Sequence, residues 1–211
     1  MTKFGRDKLL LYAVTDRTWL KGRTMEEQVE EALKGGVTCV QLREKKLDKT
    51  ALIEEAGSIK RLCEEYNVPF IINDDPETAL LVGADGVHVG QKDMSPAAAR
   101  ELLGENKIIG VSARTVEQAL KAQKEGADYL GVGAVFGTGT KADAQAISLE
   151  SLRDICRAVK IPVVAIGGIN EEHIPRLSGT GIAGVAVVSA IFASDDIKEA
   201  SRRLRRQALK L

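Results

Sequence analysis

Histidine, cysteine, aromatic residues and net charge are all scarce in this chain of 211 residues, and each shortage removes a class of function. Lys and Arg number 30 and Asp and Glu number 30, so the formal net charge is zero. There is no basic excess to hold nucleic acid or an anionic membrane surface. Aromatics make up 4 % of the chain, which argues against a base-stacking platform. Cys39, Cys63 and Cys156 are odd in number and lack paired spacing. They suit reduced thiols of a cytoplasmic protein better than a disulfide framework or a zinc site. Residues 1–8 are polar and charged, with no signal-peptide core, and no apolar run is long enough to span a bilayer. Of the two histidines, His88 is expected to be a satisfied core residue and His173 an inert surface one. Ser112 and Ser189 then have no histidine partner for a nucleophilic triad.

What remains is a regular alternation of short apolar runs with amphipathic stretches. Strands are expected at 9–14, 38–43, 70–72, 86–89, 108–111, 129–135, 162–166 and 184–188. They are nearly continuous in Val, Ile and Leu, as when both faces of a sheet are buried. Helical spacing falls at 25–34, 49–66, 97–103, 115–125, 149–159, 171–177 and 195–211, with a further helix opening at Asp75-Pro76. Thr24, Asp75 and Ser95 are N-cap residues in this scheme, the last two followed by proline at the first helical position. Three helix-to-strand joints rhyme: Gly35-Gly36-Val37, Gly83-Ala84-Asp85-Gly86 and Glu125-Gly126-Ala127-Asp128. Eight strands, each followed by a helical segment, point to the α/β class and a single-domain (β/α)8 TIM barrel over residues 1–211. A doubly wound open sheet fits less well, because Thr15-Asp16-Arg17 after the first strand is no phosphate-binding glycine loop.

Polar residues gather where the strands end, the face on which such barrels carry their sites. Strand two runs into Gln41-Leu42-Arg43-Glu44-Lys45. Alternation puts Gln41, Arg43 and Lys45 on one face, although either cation could simply pair with Glu44 or Asp48. Strand three ends in Asn73, Asp74 and Asp75, and strand four in Gln91, Lys92 and Asp93. Asp75 is accounted for as a helix cap. Asp74 and Asp93, at the ends of neighbouring strands, suit a hard cation such as Mg²⁺, which takes one or two carboxylates plus phosphate oxygens and water. Strand five ends at Ser112. Strand six leads to Gly137-Thr138-Gly139-Thr140-Lys141, a glycine-punctuated loop without Walker A spacing, in which Asp143 could pair with Lys141. Gly167 and Gly168 after strand seven, with Ser189 after strand eight, make a phosphate cradle or, more blandly, a tight turn. The charge inventory suggests a diphosphate near strands two to four and a monophosphate opposite. No general base stands out, which suits chemistry driven by positioning and charge stabilisation.

Together these motifs resemble the thiamin-phosphate synthase family. The resemblance runs from Tyr12-Ala13-Val14-Thr15-Asp16 to Val188-Ser189-Ala190-Ile191. It includes Gln-Leu-Arg-Glu-Lys, Ile-Asn-Asp, His-Val-Gly-Gln-x-Asp, Gly-Val-Ser-Ala, Gly-Thr-Gly-Thr-Lys and Ala-Ile-Gly-Gly-Ile. It implies a (β/α)8 barrel that joins hydroxymethylpyrimidine diphosphate to thiazole phosphate with Mg²⁺. The pyrimidine diphosphate site would be Gln41, Arg43, Lys45, Asn73, Ser112 and Lys141, with Arg43, Lys45, Lys141 and Ser112 as the catalytic set. The thiazole phosphate site would be Thr138, Gly139, Thr140, Gly168, Val188 and Ser189, and the Mg²⁺ ligands Asp74 and Asp93. Gly137 stands where many members carry proline, which would loosen the loop. The rivals are a thiazole tautomerase of the same fold, a non-catalytic phosphometabolite-binding barrel, and a sugar-phosphate epimerase or aldolase. The diphosphate-and-metal apparatus disfavours the first two, and the lack of a base or Schiff-base lysine within a strand disfavours the third. The partners implied are small molecules, with no nucleic acid and no membrane; no motif speaks to the oligomeric state.

Overall fold

A computed structural model describes residues 4–137 and 146–211. Its eight strands are β1 (Leu11–Val14), β2 (Cys39–Leu42), β3 (Phe70–Asn73), β4 (Gly86–Val89), β5 (Ile108–Ala113), β6 (Tyr129–Val132), β7 (Val163–Ile166) and β8 (Gly184–Val187). All neighbours pair in parallel, and β8 pairs back to β1, so the sheet closes in sequence order. The helices are α1 (Met25–Lys34), α2 (Lys49–Glu65), α3 (Pro76–Leu81), α4 (Pro96–Leu103), α5 (Val116–Lys124), α6 (Leu149–Ala158), α7 (Ser189–Phe192) and α8 (Ile197–Ala208). None among the described residues is long and apolar enough to cross a membrane.

Alternation along the strands sorts the core into two compartments. Leu11, Val40, Ile72, Val87, Val111 and Val185 point outward and pack with the helices. Tyr12, Cys39, Ile71, Tyr129, Val164 and Ala186 point into the barrel. The interior is therefore a packed lumen rather than a pore.

Local chemistry explains the helix starts. Thr24 accepts from the Glu27 amide while Glu27 reaches back to the Thr24 amide, a complete capping box. Asp75 and Ser95 cap α3 and α4 ahead of Pro76 and Pro96. The rhyming joints close the amino-terminal end of the barrel. Asp85 accepts from the Phe70 amide at 2.8 Å and Asp128 from the Ile109 amide at 2.8 Å. Each carboxylate thus satisfies an amide at the start of the strand next to its own, the first of β3 and the second of β5. Gly36, Gly83 and Gly126 have φ of 95°, 67° and 92°, the left-handed turn that glycine permits.

The differences from sequence expectation have tertiary causes. Leu9 belongs to a 3-10 turn, Arg6–Leu9, which carries it and Phe4 against the floor of the lumen. β5 runs on to Ala113 because Ser112 pairs with Gly131 of β6. β6 stops at Val132. Beyond it Val135 donates to the Ile166 carbonyl and Phe136 to that of Gly167, so this segment follows β7 instead. A 3-10 turn, Ile174–Leu177, replaces a helix after β7. The final expected helix proves to be α8 alone, with α7 preceding it.

Two glycines on these elements make opposite predictions. A Cβ on Gly110 would lie 2.2 Å from the Tyr129 ring, whereas one on Gly57 in α2 would meet only the end of Arg61 at 3.8 Å. Gly110→Ala should destabilise the fold by at least about 2 kcal/mol, and Gly57→Ala should stabilise it by about 1 kcal/mol. Denaturant midpoints check both; a neutral Gly110→Ala would mean that the lumen is loosely packed.

Candidate active site

A cavity of about 220 Å³ opens at the carboxyl ends of the strands. It brings together seven of the residues assigned from sequence to substrate sites: Gln41, Arg43, Asn73 and Ser112 on one side, and Gly168, Val188 and Ser189 on the other. The closed parallel sheet causes this, since all the strand ends converge on one mouth.

Arg43 is fixed at the root of its loop, where its amide donates to Thr15 Oγ1 at 3.0 Å. Its guanidinium lies 3.7 Å from Asp16. Glu44 is not its partner. Glu44 is held by Arg17 at 2.5 Å and accepts from the amides of Lys45 and Lys46, and Arg17 also binds Glu55. These bonds hold the Glu44 carboxyl below its ordinary range even though burial alone would raise it. Glu44 therefore shapes the loop and leaves Arg43 directed to the cavity. Lys45 is exposed and lies outside the cavity lining. Strand pairing stops at Leu42, so alternation does not carry as far as Lys45. Its charge nevertheless reaches Asp74 on the rim.

Asp74 has φ of 62° and donates its amide to the His88 carbonyl at 2.8 Å, which pins it between β3 and β4. Partial burial of its carboxyl and then the Asp93 carboxylate push Asp74 up. Asp93 accepts from the Gly90 amide at 2.7 Å, closing the turn after β4. Ser95 caps α4, as expected, so capping does not occupy Asp93. Two facing carboxylates fit a hard divalent cation. No group of three His, Cys, Asp or Glu suited to a metal occurs among the described residues. Other positions would come from water and substrate oxygens.

Gly167 and Gly168 have φ of 97° and 66°. A Cβ on Gly167 would meet Ala134 at 2.5 Å, and one on Gly168 the Gly137 carbonyl at 2.4 Å. Close approach alone therefore requires glycine here, and it also leaves the backbone bare at the cavity. Thr138, Gly139, Thr140, Lys141 and Asp143 lie outside the described residues.

The expectation for His173 needs correction, and so does the absence of a histidine beside Ser112. His173 is not inert: its Nδ1 donates to the Gly168 carbonyl at 2.5 Å and its ring stacks on Phe136 at 4.1 Å. The stack joins segments 37 positions apart, which local pattern does not show. His88 is buried and satisfied, as expected, but it also reaches the cavity. Its Nε2 lies 2.9 Å from Ser112 Oγ, so Ser112 does have a histidine neighbour. The other ring nitrogen faces the Tyr129 phenol at 2.9 Å rather than a carboxylate, which is not a nucleophilic triad. Sequence reasoning also missed Tyr12, Tyr129 and Arg114. Glycines inside strands mark close approach, and Gly110 and Gly131 make room for Tyr129 and His88. Arg114 continues the inward parity of Ser112.

Against this geometry the comparisons are specific. The family model described as thiamine monophosphate synthase matches residues 11–191. The chain belongs to the thiamine monophosphate synthase family. Among relatives of this family, the thiamine-phosphate synthase of Clostridium tetani is 52 % identical over 92 % of this chain and 93 % of its own. That of Clostridium acetobutylicum is 54 % identical over 91 % of each. A solved thiamine phosphate pyrophosphorylase from Pyrococcus furiosus superposes with a TM-score of 0.90 at 43 % identity, covering 97 % of this chain and 98 % of the other.

The rim carboxylates make a stability prediction. A raised folded pKa means that the folded state disfavours the ionised form. That penalty is fully present above the folded pKa and is relieved as pH falls through it. Asp74→Asn, which keeps a side chain tolerant of positive φ, should therefore raise Tm in chelator at pH 7. The gain should shrink as pH falls toward the ordinary carboxylate range. Melting curves at the two pH values check this; no change at either would mean that the two carboxylates do not repel.

Proposed function

We propose that the mouth of this barrel performs the reaction of its family: it couples 4-amino-2-methyl-5-hydroxymethylpyrimidine diphosphate with 4-methyl-5-(2-hydroxyethyl)thiazole phosphate and releases thiamin phosphate and diphosphate. The observation that carries this reading is the convergence of Gln41, Arg43, Asn73 and Ser112 with Gly168, Val188 and Ser189 on one cavity, beside two rim carboxylates. One side suits a ring bearing a diphosphate and the other a monophosphate. The enzyme is thus a transferase that moves an alkyl group.

Gln41 and Ser112 would hold the pyrimidine ring, with Asn73 beside them. Arg43 and Lys45, with Lys141 by its place in the Gly-Thr-Gly-Thr-Lys motif, would take the diphosphate. Gly168, Val188 and Ser189, with Thr138, Gly139 and Thr140 by the same motif, would take the thiazole phosphate. Asp74 and Asp93 would hold Mg²⁺. Bound there, Mg²⁺ would supply positive charge to the leaving diphosphate oxygens.

The bond between the pyrimidine methylene carbon and the diphosphate oxygen breaks first, and its electron pair leaves with diphosphate. The amino-pyrimidine delocalises the resulting methylene cation. The thiazole nitrogen then donates its lone pair, forming the new carbon–nitrogen bond and leaving the positive charge on the thiazolium. No proton is removed, so the reaction calls for no general base. The work of the protein is to hold two rings in line and stabilise departing charge.

A cytoplasmic location belongs to the same proposal. It is supported by three thiols with no disulfide between them, two of them buried.

Purified protein given both substrates and Mg²⁺ should form thiamin phosphate and release diphosphate in equal amounts. Arg43→Ala should lower kcat/KM by about 10²–10³-fold, the scale of losing one charge-stabilising donor, with little change in Tm. Absence of product at high wild-type concentration would reject the reading. A collapse of Tm in Arg43→Ala would make that residue structural.

A further inference from the structure

Beneath the cavity runs an unbroken line of side-chain hydrogen bonds. Gln41 Nε2 donates to the Tyr12 hydroxyl at 2.7 Å. The Tyr12 and Tyr129 hydroxyls are 2.7 Å apart. The Tyr129 hydroxyl lies 2.9 Å from His88 Nδ1, and His88 Nε2 lies 2.9 Å from Ser112 Oγ. Tyr12 and Tyr129 are 1 % and 0 % exposed, Gln41 4 % and His88 8 %. Gly110 and Gly131, inside strands, are shaped to this line. A Cβ on the first would strike the Tyr129 ring at 2.2 Å, and one on the second would meet His88 at 3.0 Å.

Each phenol has a single hydrogen, which makes the line directional. With the Gln41 amide donating to Tyr12, the Tyr12 hydrogen must go to Tyr129. The Tyr129 hydrogen then goes to His88 Nδ1. The His88 proton therefore sits on Nε2 and is donated to Ser112 Oγ. Ser112 keeps its own hydrogen to offer elsewhere, and Gln41 keeps its carbonyl oxygen. The opposite polarity reverses every link together: Ser112 donates to His88, and Tyr12 donates to the Gln41 carbonyl. A mixed line would place two hydrogens, or none, between buried neighbours, which is strongly disfavoured. Burial holds both phenols well above their ordinary range, so both stay protonated. The Cys39 thiol also bonds Tyr12; thiol sulfur is a weak acceptor, so the Tyr12 hydrogen stays with the Tyr129 oxygen at 2.7 Å.

We infer that Tyr12, Tyr129 and His88 are positioning residues that set Gln41 as a hydrogen-bond acceptor and Ser112 as a donor at the cavity, so that the site selects a ring offering an amino group and a ring-nitrogen lone pair. The inference rests on the proposed role of Gln41 and Ser112 as ring contacts and adds what decides their polarity. A 4-oxo pyrimidine reverses the pattern at the exocyclic position and the adjacent nitrogen. It would require the whole line to flip or would leave buried groups unpaired. Sites built around such donors and acceptors discriminate strongly between isosteres.

Two measurements test this. Nitrogen-15 NMR of the ligand-free protein should show His88 neutral, with hydrogen on Nε2 and none on Nδ1. Calorimetry should show the 4-amino pyrimidine diphosphate binding at least about 100-fold more tightly than its 4-oxo counterpart. Tyr129→Phe interrupts the line, and Tyr12→Phe interrupts it nearer Gln41; each should cut that ratio at least tenfold. Hydrogen on His88 Nδ1 in the wild type, with the amino ligand still bound, would overturn the polarity and spare the ring site. An unchanged ratio in whichever variant folds would overturn the positioning role. If neither ligand binds wild type, the ring site and its selectivity both fall, and the His88 tautomer still reports whether the line is polarised.

Discussion

Closing eight parallel strands into a barrel sends alternate side chains into a lumen with no sheet edge through which to escape. Those side chains must fill the space, and any polar group among them must find a partner inside it. Below, Phe4, Leu9, Ile71 and Val164 fill the space with apolar bulk. Above, Gln41, Tyr12, Tyr129, His88 and Ser112 satisfy one another in sequence. The hydrogen-bonded line is the upper layer of the core and the floor of the cavity at once. A change made there for packing is felt at the site, and the reverse holds too.

The two ends of the barrel use charge in opposite ways. At the amino-terminal end Asp85 and Asp128 are consumed, each bonded to a strand amide, and Asp128 also takes Arg100 at 2.6 Å. Such bonds stabilise the joints and leave no charge over. At the carboxyl end charge is left in excess: Asp74 and Asp93 face one another, and among the described residues the ion pair of Arg43 is a 3.7 Å contact with Asp16. Glu44 marks the boundary. It sits in the motif that carries Arg43, yet it is spent on Arg17 and two loop amides. A protein with zero formal net charge thus leaves charge at its mouth where phosphate oxygens and a cation can meet it.

What was legible in the sequence follows the range of the forces involved. α1 and β4 fall where expected because apolar spacing and caps such as Thr24 act within a few residues. The mouth residues were legible because barrel topology converts position after a strand into position at the cavity. Lys45 shows the limit of that rule, since its strand ended three residues earlier. The end of β5 was misplaced because Ser112 is held by its pairing with Gly131, 19 positions on. His173 was misjudged, and the His88–Ser112 contact missed, because the partners Phe136 and Ser112 come from distant segments. Gly110 and Gly131, at inward strand positions, were the local signs of that packing.

The account stands or falls on one cavity holding two anion sites of different kinds, only one of which needs a cation. Calorimetric titration tests this most directly, with diphosphate and thiazole phosphate added singly and together, in Mg²⁺ and in chelator. The account predicts one diphosphate per chain, bound in Mg²⁺ and lost in chelator, and one thiazole phosphate bound in both, with the two sites filling together. Equal diphosphate affinity with and without Mg²⁺, or displacement of one ligand by the other, would contradict it.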